Sequence, residues 1–150
     1  MWNRSDQFRY IWRDVAGSAS ISARVDDLAD TDRHAKAGLM LRSSTAADAA
    51  HVYLHAFPDG RVMLGWRSAD GADTRERELG TAHWPIWLSL SQGTGVVRAA
   101  YSADGRSWRT STLSPPVSLP AFSLAGLAVL AHGENEVLTS AIFQHVDLQP

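Results

Sequence analysis

Hydrophobic and polar positions alternate along short segments of this chain, and turn residues separate the segments. A period of two is typical of a β-strand with one buried face. Asp104-Gly105 lies between two such segments and is a strong hairpin signal, because glycine adopts positive φ freely. Pro58-Asp59-Gly60 and Ala69-Asp70-Gly71 mark similar turns. The pattern predicts an antiparallel all-β domain with strands near 8–14, 19–26, 36–43, 51–57, 61–68, 74–79, 86–92, 95–102, 106–113, 122–131 and 137–148.

Segments 36–43, 51–57 and 61–68 are expected to form a meander of three neighbouring strands, because only short links join them. In each segment, one set of alternate residues is aliphatic. These residues are expected to face the core, since successive side chains of a strand point to opposite sides. The other set of alternate residues includes polar, aromatic and sulfur-containing side chains: Met40, Arg42, Tyr53, His55, Met63 and Arg67. The meander therefore predicts one patch on the outward face of a sheet.

The remaining segments complete the organisation of a single domain spanning residues 1–150. Segment 74–79 is charged on both faces, which favours an edge strand. The link 114–120 contains three prolines and is predicted to be a loop that crosses between sheets. Residues 126–131 are continuously apolar and predict a central strand buried on both faces. The polar, alanine-rich link 44–50 has room for one helical turn at most.

Composition excludes several classes of function. A chain of 150 residues is enough for one domain that buries roughly 70% of its unfolded surface. The net charge of −2, without a basic stripe, argues against a nucleic-acid partner. No window approaches the roughly 18 apolar residues of a membrane helix, so no membrane partner is expected. The absence of cysteine excludes disulfides, thiolate metal sites and a cysteine nucleophile. The chain begins without the apolar run of a signal peptide.

Seven motifs stand in a characteristic order along nearly the whole chain: Asp6-Gln-Phe-Arg-Tyr10, Ile21-Ser-Ala-Arg-Val25, Ala35-Lys-Ala-Gly-Leu-Met-Leu-Arg42, Trp87-Leu88, Tyr101-Ser-Ala-Asp-Gly105 with Trp108, Gly126-Leu-Ala-Val129 and Ala141-Ile-Phe143. Together they resemble the bacterial concanavalin A-like (laminin G-like) β-sandwich modules of the kind named domain of unknown function 1349. The resemblance implies a jelly roll of two curved antiparallel sheets, found as an accessory module of secreted, carbohydrate-related multidomain proteins.

Two departures from that family pattern change the expectations for this chain. Relatives usually carry a further segment before the position of Trp2-Asn3, so an N-terminal strand is expected to be missing or trimmed here. Ser89, Ser91 and Gln92 stand where relatives often have charged residues, which removes groups that would line the concave sheet.

Catalytic and metal motifs are weak in this sequence. Glycosidases need two carboxylates about 5–9.5 Å apart, and Glu76 and Glu78 are instead flanked by arginines on a charged edge. A Gly-x-Ser-x-Gly motif is absent, so no enzyme is expected. His51 and His55 would lie about 13 Å apart along a strand, which disfavours zinc. No cofactor is predicted. Calcium at Glu134 and Glu136 is the alternative left open, although two acids fall short of six to eight oxygen ligands.

The outward patch of the meander is the predicted ligand site. Arginine forks and a histidine suit sugar hydroxyls and the carboxylates of acidic sugars, while aromatic rings stack on sugar C–H groups. We assign five residues to the site, four from this face and Trp84 as a loop residue whose ring is a platform for stacking of a sugar: Arg42, Tyr53, His55, Arg67 and Trp84. Trp12 is a second candidate platform, whereas Trp66 and Trp108 are expected in the core.

Three hypotheses for the function follow. The preferred one is a non-catalytic carbohydrate-binding module of a larger extracellular or periplasmic protein, binding on the concave sheet. The second is a structural or protein-interaction domain, including a homo-oligomer, that packs against neighbouring modules; a cytoplasmic location is the alternative for the compartment. The third, a glycoside hydrolase, is disfavoured because no carboxylate pair converges.

Overall fold

A computed structural model of the protein describes residues 8–131 and 138–150, and eleven strands account for the regular structure in these ranges. All the strands predicted from the alternation are present; the last, predicted at 137–148 with residue 137 outside the described residues, begins at Ala141 and ends one residue later than predicted. Their bounds are β1 (Arg9–Ala16), β2 (Ala19–Leu28), β3 (Lys36–Arg42), β4 (His51–Ala56), β5 (Arg61–Arg67), β6 (Thr74–Thr81), β7 (Ile86–Gly93), β8 (Val96–Ser102), β9 (Arg109–Thr110), β10 (Phe122–Leu130) and β11 (Ala141–Gln149).

The strands form two antiparallel sheets. The six-stranded sheet has the order β1-β10-β3-β4-β5-β6, and the five-stranded sheet has the order β11-β2-β7-β8-β9. The charged strand β6 lies at an edge, as predicted. The proline-containing link 114–120 connects β9 of one sheet to β10 of the other, which confirms the predicted crossover.

The hydrophobic core lies between the two sheets. The six-stranded sheet contributes the alternate aliphatic residues of β3, β4 and β5. They include Leu39, Val52 and Leu64, which have no exposed surface. The five-stranded sheet contributes alternate residues of β2 and β7, such as Val25 and Leu88. Trp66 packs partly buried against this cluster, as expected. Trp108, also expected in the core, is 38% exposed and lies outside it.

The meander of β3, β4 and β5 has the predicted register. Arg42 pairs with His51, which pairs with Arg67, so these three side chains form one row across three strands. The next rows place Met40 beside Tyr53, and His55 beside Met63. The prediction that these strands are neighbours with their polar residues on one outward face is confirmed.

The ninth strand is much shorter than the predicted 106–113. Asp104 Oδ1 accepts hydrogen bonds from the backbone N–H groups of Arg106 and Ser107, both at 2.8 Å. These donors, together with the Ser102 hydroxyl, hold the pKa of Asp104 at about 2. The two amides are therefore used in the turn at Gly105 (φ 72°) rather than in the sheet, and only Arg109–Thr110 pairs with β8.

Candidate functional site

The outward face of the six-stranded sheet carries a buried layer of polar side chains, which we call the polar layer: Lys36, Arg42, His51, Tyr53, His55 and Arg67. Each is at most 1% exposed. The sequence predicted that four of them, Arg42, Tyr53, His55 and Arg67, form an accessible groove. The structure corrects this expectation. They share a face, but they are not open to solvent.

Loops that fold over the two arginines explain their burial. Arg42 donates from Nε to the Ser44 carbonyl at 3.0 Å and from Nη2 to the Ala46 carbonyl at 2.5 Å. Its guanidinium also lies over the ring of Phe8, 5.0 Å from the centroid. A guanidinium has five donors in a fixed fork, so one arginine can hold a length of backbone in place. The 43–50 link is thus attached to the sheet through Arg42.

Arg67 plays the same role on β5. It donates from Nε to the Ala72 carbonyl at 2.9 Å and from Nη1 to the Ala49 carbonyl at 3.1 Å. Nη2 donates to the Thr74 hydroxyl at 3.0 Å. These bonds join two loops above one row of the sheet. Because the forks of Arg42 and Arg67 are turned toward backbone carbonyls, both arginines stabilise loops in this geometry.

Tyr53 and His55 form the centre of the polar layer. Their rings stack with centroids 4.5 Å apart, and the Tyr53 hydroxyl donates to the Ala128 carbonyl at 2.8 Å. His55 Nδ1 lies 3.2 Å from the Tyr53 carbonyl, which can only accept, so Nδ1 carries the proton. In the described part of the chain, His55 Nε2 is buried and has no hydrogen-bond partner.

Burial, together with a nearby positive charge, keeps the imidazole of His55 neutral. Burial, and then the positive charge of Lys36, hold the pKa of His55 well below its ordinary value of 6.5. Lys36 Nζ itself pairs with Glu76 Oε1 at 3.0 Å, and that lysine is 1% exposed. Within the polar layer, the charge of Lys36 is therefore compensated by Glu76, and His55 is neutral. A proton added to His55 would have to be buried beside a cation.

Trp84, predicted as a platform for the same site, is not brought together with the polar layer. Its indole packs against the core cluster between the sheets, and Nε1 donates to the Pro58 carbonyl at 3.0 Å. Trp12, the other predicted platform, lies on strand β1 rather than in a loop and is 42% exposed. The predicted site thus divides into four buried residues of one face and two separate tryptophans.

The outward face of the five-stranded sheet is different, and the sequence reasoning missed it. Four serines occupy its centre as two directly opposed pairs, Ser20 with Ser91 and Ser22 with Ser89. We call them the serine strip. Within residues 8–131 and 138–150, none of the four hydroxyls forms a hydrogen bond to another protein group. The resemblance placed Ser89 and Ser91 on the concave sheet, to which the residue pattern assigned Arg42; the structure places these serines and Arg42 on different sheets.

Longer polar side chains flank the serine strip. One row across four strands reads Gln149, Ser20, Ser91 and Arg98, and it spans about 14 Å at the usual spacing of strands. A shallow depression of about 450 Å³ lies at this end of the strip. Arg98 is exposed, and among the described residues no carboxylate forms an ion pair with it. Hydroxyl, amide and guanidinium groups are therefore presented together to solvent.

The other end of this face is occupied by contacts within the protein. The indole of Trp87 stacks on His145 with centroids 5.4 Å apart, and the guanidinium of Arg24 lies 5.7 Å from its ring centroid. Arg24 is further engaged by Asp26 and by the amide of Gln144, which accepts at 2.9 Å. The accessible polar surface of the five-stranded sheet thus includes the strip and the row that ends in Arg98. It also includes Asp147, which lies opposite Ser22 and accepts from Gln149 Nε2 at 2.8 Å.

Neither a metal-binding cluster nor a membrane-spanning helix is found among residues 8–131 and 138–150. Residues 8–131 and 138–150 contain no group of three or more histidine or acidic side chains that could hold a metal ion. Glu134 and Glu136, the acids of the alternative calcium site, lie outside the described residues, as does His132. No helix long and apolar enough to cross a membrane occurs among the residues that the structure describes.

Comparison with solved structures defines the class of this fold. No family model and no curated protein matches the chain. A functionally unknown protein from Saccharomyces cerevisiae is similar at 18% identity with a TM-score of 0.68, covering 99% of this chain and 80% of that one. The alginate lyase from Klebsiella pneumoniae is similar at 12% identity (TM-score 0.57, 91% and 60% covered), and so is sheep galectin-11 in complex with glycerol (14%, 0.52, 96% and 100%).

These similarities establish the fold alone, since all identities are below one fifth. The protein is an all-β, concanavalin A-like jelly-roll sandwich of two antiparallel sheets, as the sequence predicted.

Proposed function

We propose that this domain is a non-catalytic, carbohydrate-associated binding module of a larger extracellular or periplasmic protein, and that glycans bind on the serine strip. The single observation that carries the proposal is the open row of Gln149, Ser20, Ser91 and Arg98. Its groups match the hydroxyls of a sugar, and a guanidinium also suits the carboxylate of an acidic sugar. The named fold neighbours, an alginate lyase and a galectin, support a carbohydrate-related role.

The composition of the strip also supports a binding function. Exposed strand positions are usually filled by β-branched or aromatic residues, because these pack well on a pleated surface. Serine at four adjacent positions on β2 and β7 gives up that packing and leaves a floor of short side chains on these two strands. Such a floor allows a chain of sugar rings to approach the backbone. The seven sequence motifs further support placing the module in the domain of unknown function 1349 type.

The polar layer has a different role in this proposal. Arg42 and Arg67 hold the 43–50 and 68–73 loops, so replacing them is expected to act on stability rather than on ligand contact. The ligand site assigned from the sequence to Arg42, Tyr53, His55 and Arg67 is not part of the proposal, because these side chains are buried.

Affinity electrophoresis in gels containing alginate, with galactomannan as a neutral comparison, tests the proposal. We expect the protein to be retarded, and the double variant Ser89→Val/Ser91→Val to bind about tenfold more weakly, a loss of about 1.4 kcal/mol from missing hydrogen bonds. Arg98→Ala is expected to weaken retention on alginate more than on galactomannan.

The matched control is Thr81→Val, which removes a hydroxyl from the exposed strand β6 of the other sheet and should leave retention unchanged. Equal retention of the wild type and the double serine variant would remove the strip as the binding surface. Failure of the wild type to bind in either gel would overturn the proposed glycan function.

A further inference from the structure

A cleft of about 370 Å³ lies on the side of the sandwich where β6 and β9 are the last strands of the two sheets. Residues 77–79 of β6 line one wall, and residues 109–112 line the other. Tyr101 of β8 also lines the cleft. The cleft therefore opens between the two sheets rather than on the outward face of either one.

Two arginines from different sheets point toward this cleft. Residues that pair directly across antiparallel strands have their side chains on the same side of the sheet. Arg77 pairs with Leu64, which is fully buried between the sheets, so Arg77 points to the inter-sheet side. Arg109 pairs with Tyr101, which belongs to the core cluster, and therefore points to that side as well. The register thus brings two guanidinium groups to one cleft from opposite walls.

The charges of these two arginines are not balanced by neighbouring side chains. In the described part of the chain, no carboxylate forms an ion pair with Arg77 or Arg109. Glu78 borders the cleft, but it pairs with Met63, which lies on the outward face of the six-stranded sheet. The Glu78 side chain is therefore directed away from the gap between the sheets. A cleft lined by charge of one sign concentrates ligands of the opposite sign, so an anion is the expected occupant.

The hydroxyl of Tyr101 adds a third donor to the two guanidinium groups. Tyr101 is only 5% exposed, and its hydroxyl reaches across to β6, where a Cβ on Gly80 would lie 2.1 Å from the oxygen. Glycine at this position therefore makes room for the hydroxyl. Within residues 8–131 and 138–150, no protein group forms a hydrogen bond with this oxygen, and it is not fully enclosed. A buried side chain thus presents an unused hydroxyl to the cleft.

We propose that this cleft binds a phosphate group, held between the guanidinium groups of Arg77 and Arg109 and by a hydrogen bond from the Tyr101 hydroxyl. Guanidinium forks match the oxygens of phosphates and of carboxylates. A phosphate monoester has a charge of about −1.5 to −2 and three strong acceptor oxygens, which suits two cations and a third donor better than a singly charged carboxylate does. The serine strip lies on an outward face, so this inference goes beyond the proposed glycan binding and does not depend on it.

Thermal unfolding in sodium phosphate, compared with sodium chloride at the same ionic strength and neutral pH, gives the first test. A ligand that binds only the folded state raises the Tm. Phosphate also stabilises folded proteins by exclusion from their surface, so the specific shift is the part that the double variant Arg77→Gln/Arg109→Gln loses. We expect such a loss, and a smaller shift for the wild type in sodium acetate. Equal phosphate shifts in the wild type and the double variant, or an equal shift in acetate, would overturn the proposal.

Calorimetric titration with inorganic phosphate and with glucose 6-phosphate measures the contribution of each residue. We expect Arg77→Gln and Arg109→Gln each to weaken binding about tenfold, and Tyr101→Phe about threefold. Binding of both probes would support a phosphate ester as the ligand, and binding of inorganic phosphate alone would support the free ion. Binding of neither probe would contradict the proposal.

The matched control for this titration is Arg75→Gln. It removes the same charge from the same side of β6, two residues away from Arg77 and outside the cleft. We expect it to weaken binding by less than about twofold, because an exposed charge at that distance is screened by salt. A loss as large as that of Arg77→Gln would mean general attraction to a basic edge, and it would contradict a built site.

Exchange of the variants keeps this proposal separate from the proposed function. Arg77→Gln should be retarded in the alginate gel as the wild type is, and Ser89→Val/Ser91→Val should bind phosphate with unchanged affinity. Tyr101→Phe retains the buried ring and should unfold at the wild-type temperature in chloride, so its weaker phosphate binding does not come from a loss of fold. Loss of phosphate binding in the double serine variant would contradict a separate cleft.

Discussion

The outward positions of β3, β4 and β5 hold large polar side chains, whereas the same kind of positions on β2 and β7 hold serine. On the six-stranded sheet, Arg42, His51 and Arg67 form a row that is at most 1% exposed. On the five-stranded sheet, the row from Gln149 to Arg98 is open. Both faces arise from the same alternation of side chains along antiparallel strands.

The difference shows that large polar side chains can close a face rather than open it. A long side chain with several donors can reach the carbonyls of the loops beside the sheet and hold them over its own strand, as Arg67 does with Ala49 and Ala72. Serine cannot reach that far. The face with smaller and less conspicuous residues is therefore the one that a ligand can approach.

Arg67→Ala is expected to have the largest effect on this contrast. The change leaves the carbonyls of Ala49 and Ala72 without their donor and creates a cavity, which together should cost about 3–5 kcal/mol in the free energy of unfolding. Urea unfolding measures this loss. Arg98→Ala, an exposed arginine on the other sheet, should change stability by no more than about 0.5 kcal/mol.

Similar losses in the two arginine variants would contradict the assignment of one face as closed and the other as open. A loss below about 1 kcal/mol for Arg67→Ala would mean that the guanidinium does not hold the loops.

A second prediction concerns pH and His55. The folded state keeps His55 neutral, whereas the unfolded chain takes up a proton near the ordinary pKa of 6.5, so the unfolded state binds more protons below that value. Stability is therefore complete above about pH 6.5 and falls as the pH decreases. The loss is at most about 1.4 kcal/mol per pH unit, or about 2 kcal/mol between pH 6.5 and pH 5.

His55→Phe should remove this part of the pH dependence, since a phenyl ring can pack beside Tyr53 and Phe57 without an unpaired Nε2. Chemical denaturation at pH 7 and pH 5 measures the difference. His83→Gln, at an exposed histidine, is the control and should keep the dependence of the wild type. An identical pH dependence in His55→Phe and the wild type would contradict a buried, neutral His55.

The smallest predicted effect belongs to the serine strip. Ser22→Val should raise the free energy of unfolding by a few tenths of a kcal/mol, since a β-branched residue suits a strand position better than serine. The same variant should bind glycan more weakly. Thermal unfolding and gel retention together measure the opposing changes. A Ser22→Val protein that is less stable than the wild type would indicate that serine serves packing there.

Much of the fold could be predicted because alternation, turns and prolines act locally. Gly60, Gly71 and Gly105 all have positive φ at the predicted turns, and the bounds of β3, β4 and β5 differ from prediction by a residue at most. The order of the meander also follows from its short links. The shortened β9 was not predictable from alternation, because the Asp104 side chain competes with the sheet for backbone donors.

The accessibility of the two faces could not be predicted in the same way. Alternation assigns Arg42 and Arg67 to one face, but their burial depends on loops that are distant in space until the strands pair. The core position of Trp84 likewise depends on where Pro58 lies after folding. The serine strip did leave a signal, the repeated Ser-x-Ser at 20–22 and 89–91, yet only the pairing of β2 with β7 joins its two halves.

NMR titration of the protein with alginate oligosaccharides tests the central claim most directly, because backbone amides report on both faces in one spectrum. The account predicts that shifts will concentrate at residues 20–22, 89–92 and 98, on the open face of the five-stranded sheet. Shifts confined to Arg42, Tyr53, His55 and Arg67, with the serine strip unchanged, would contradict it.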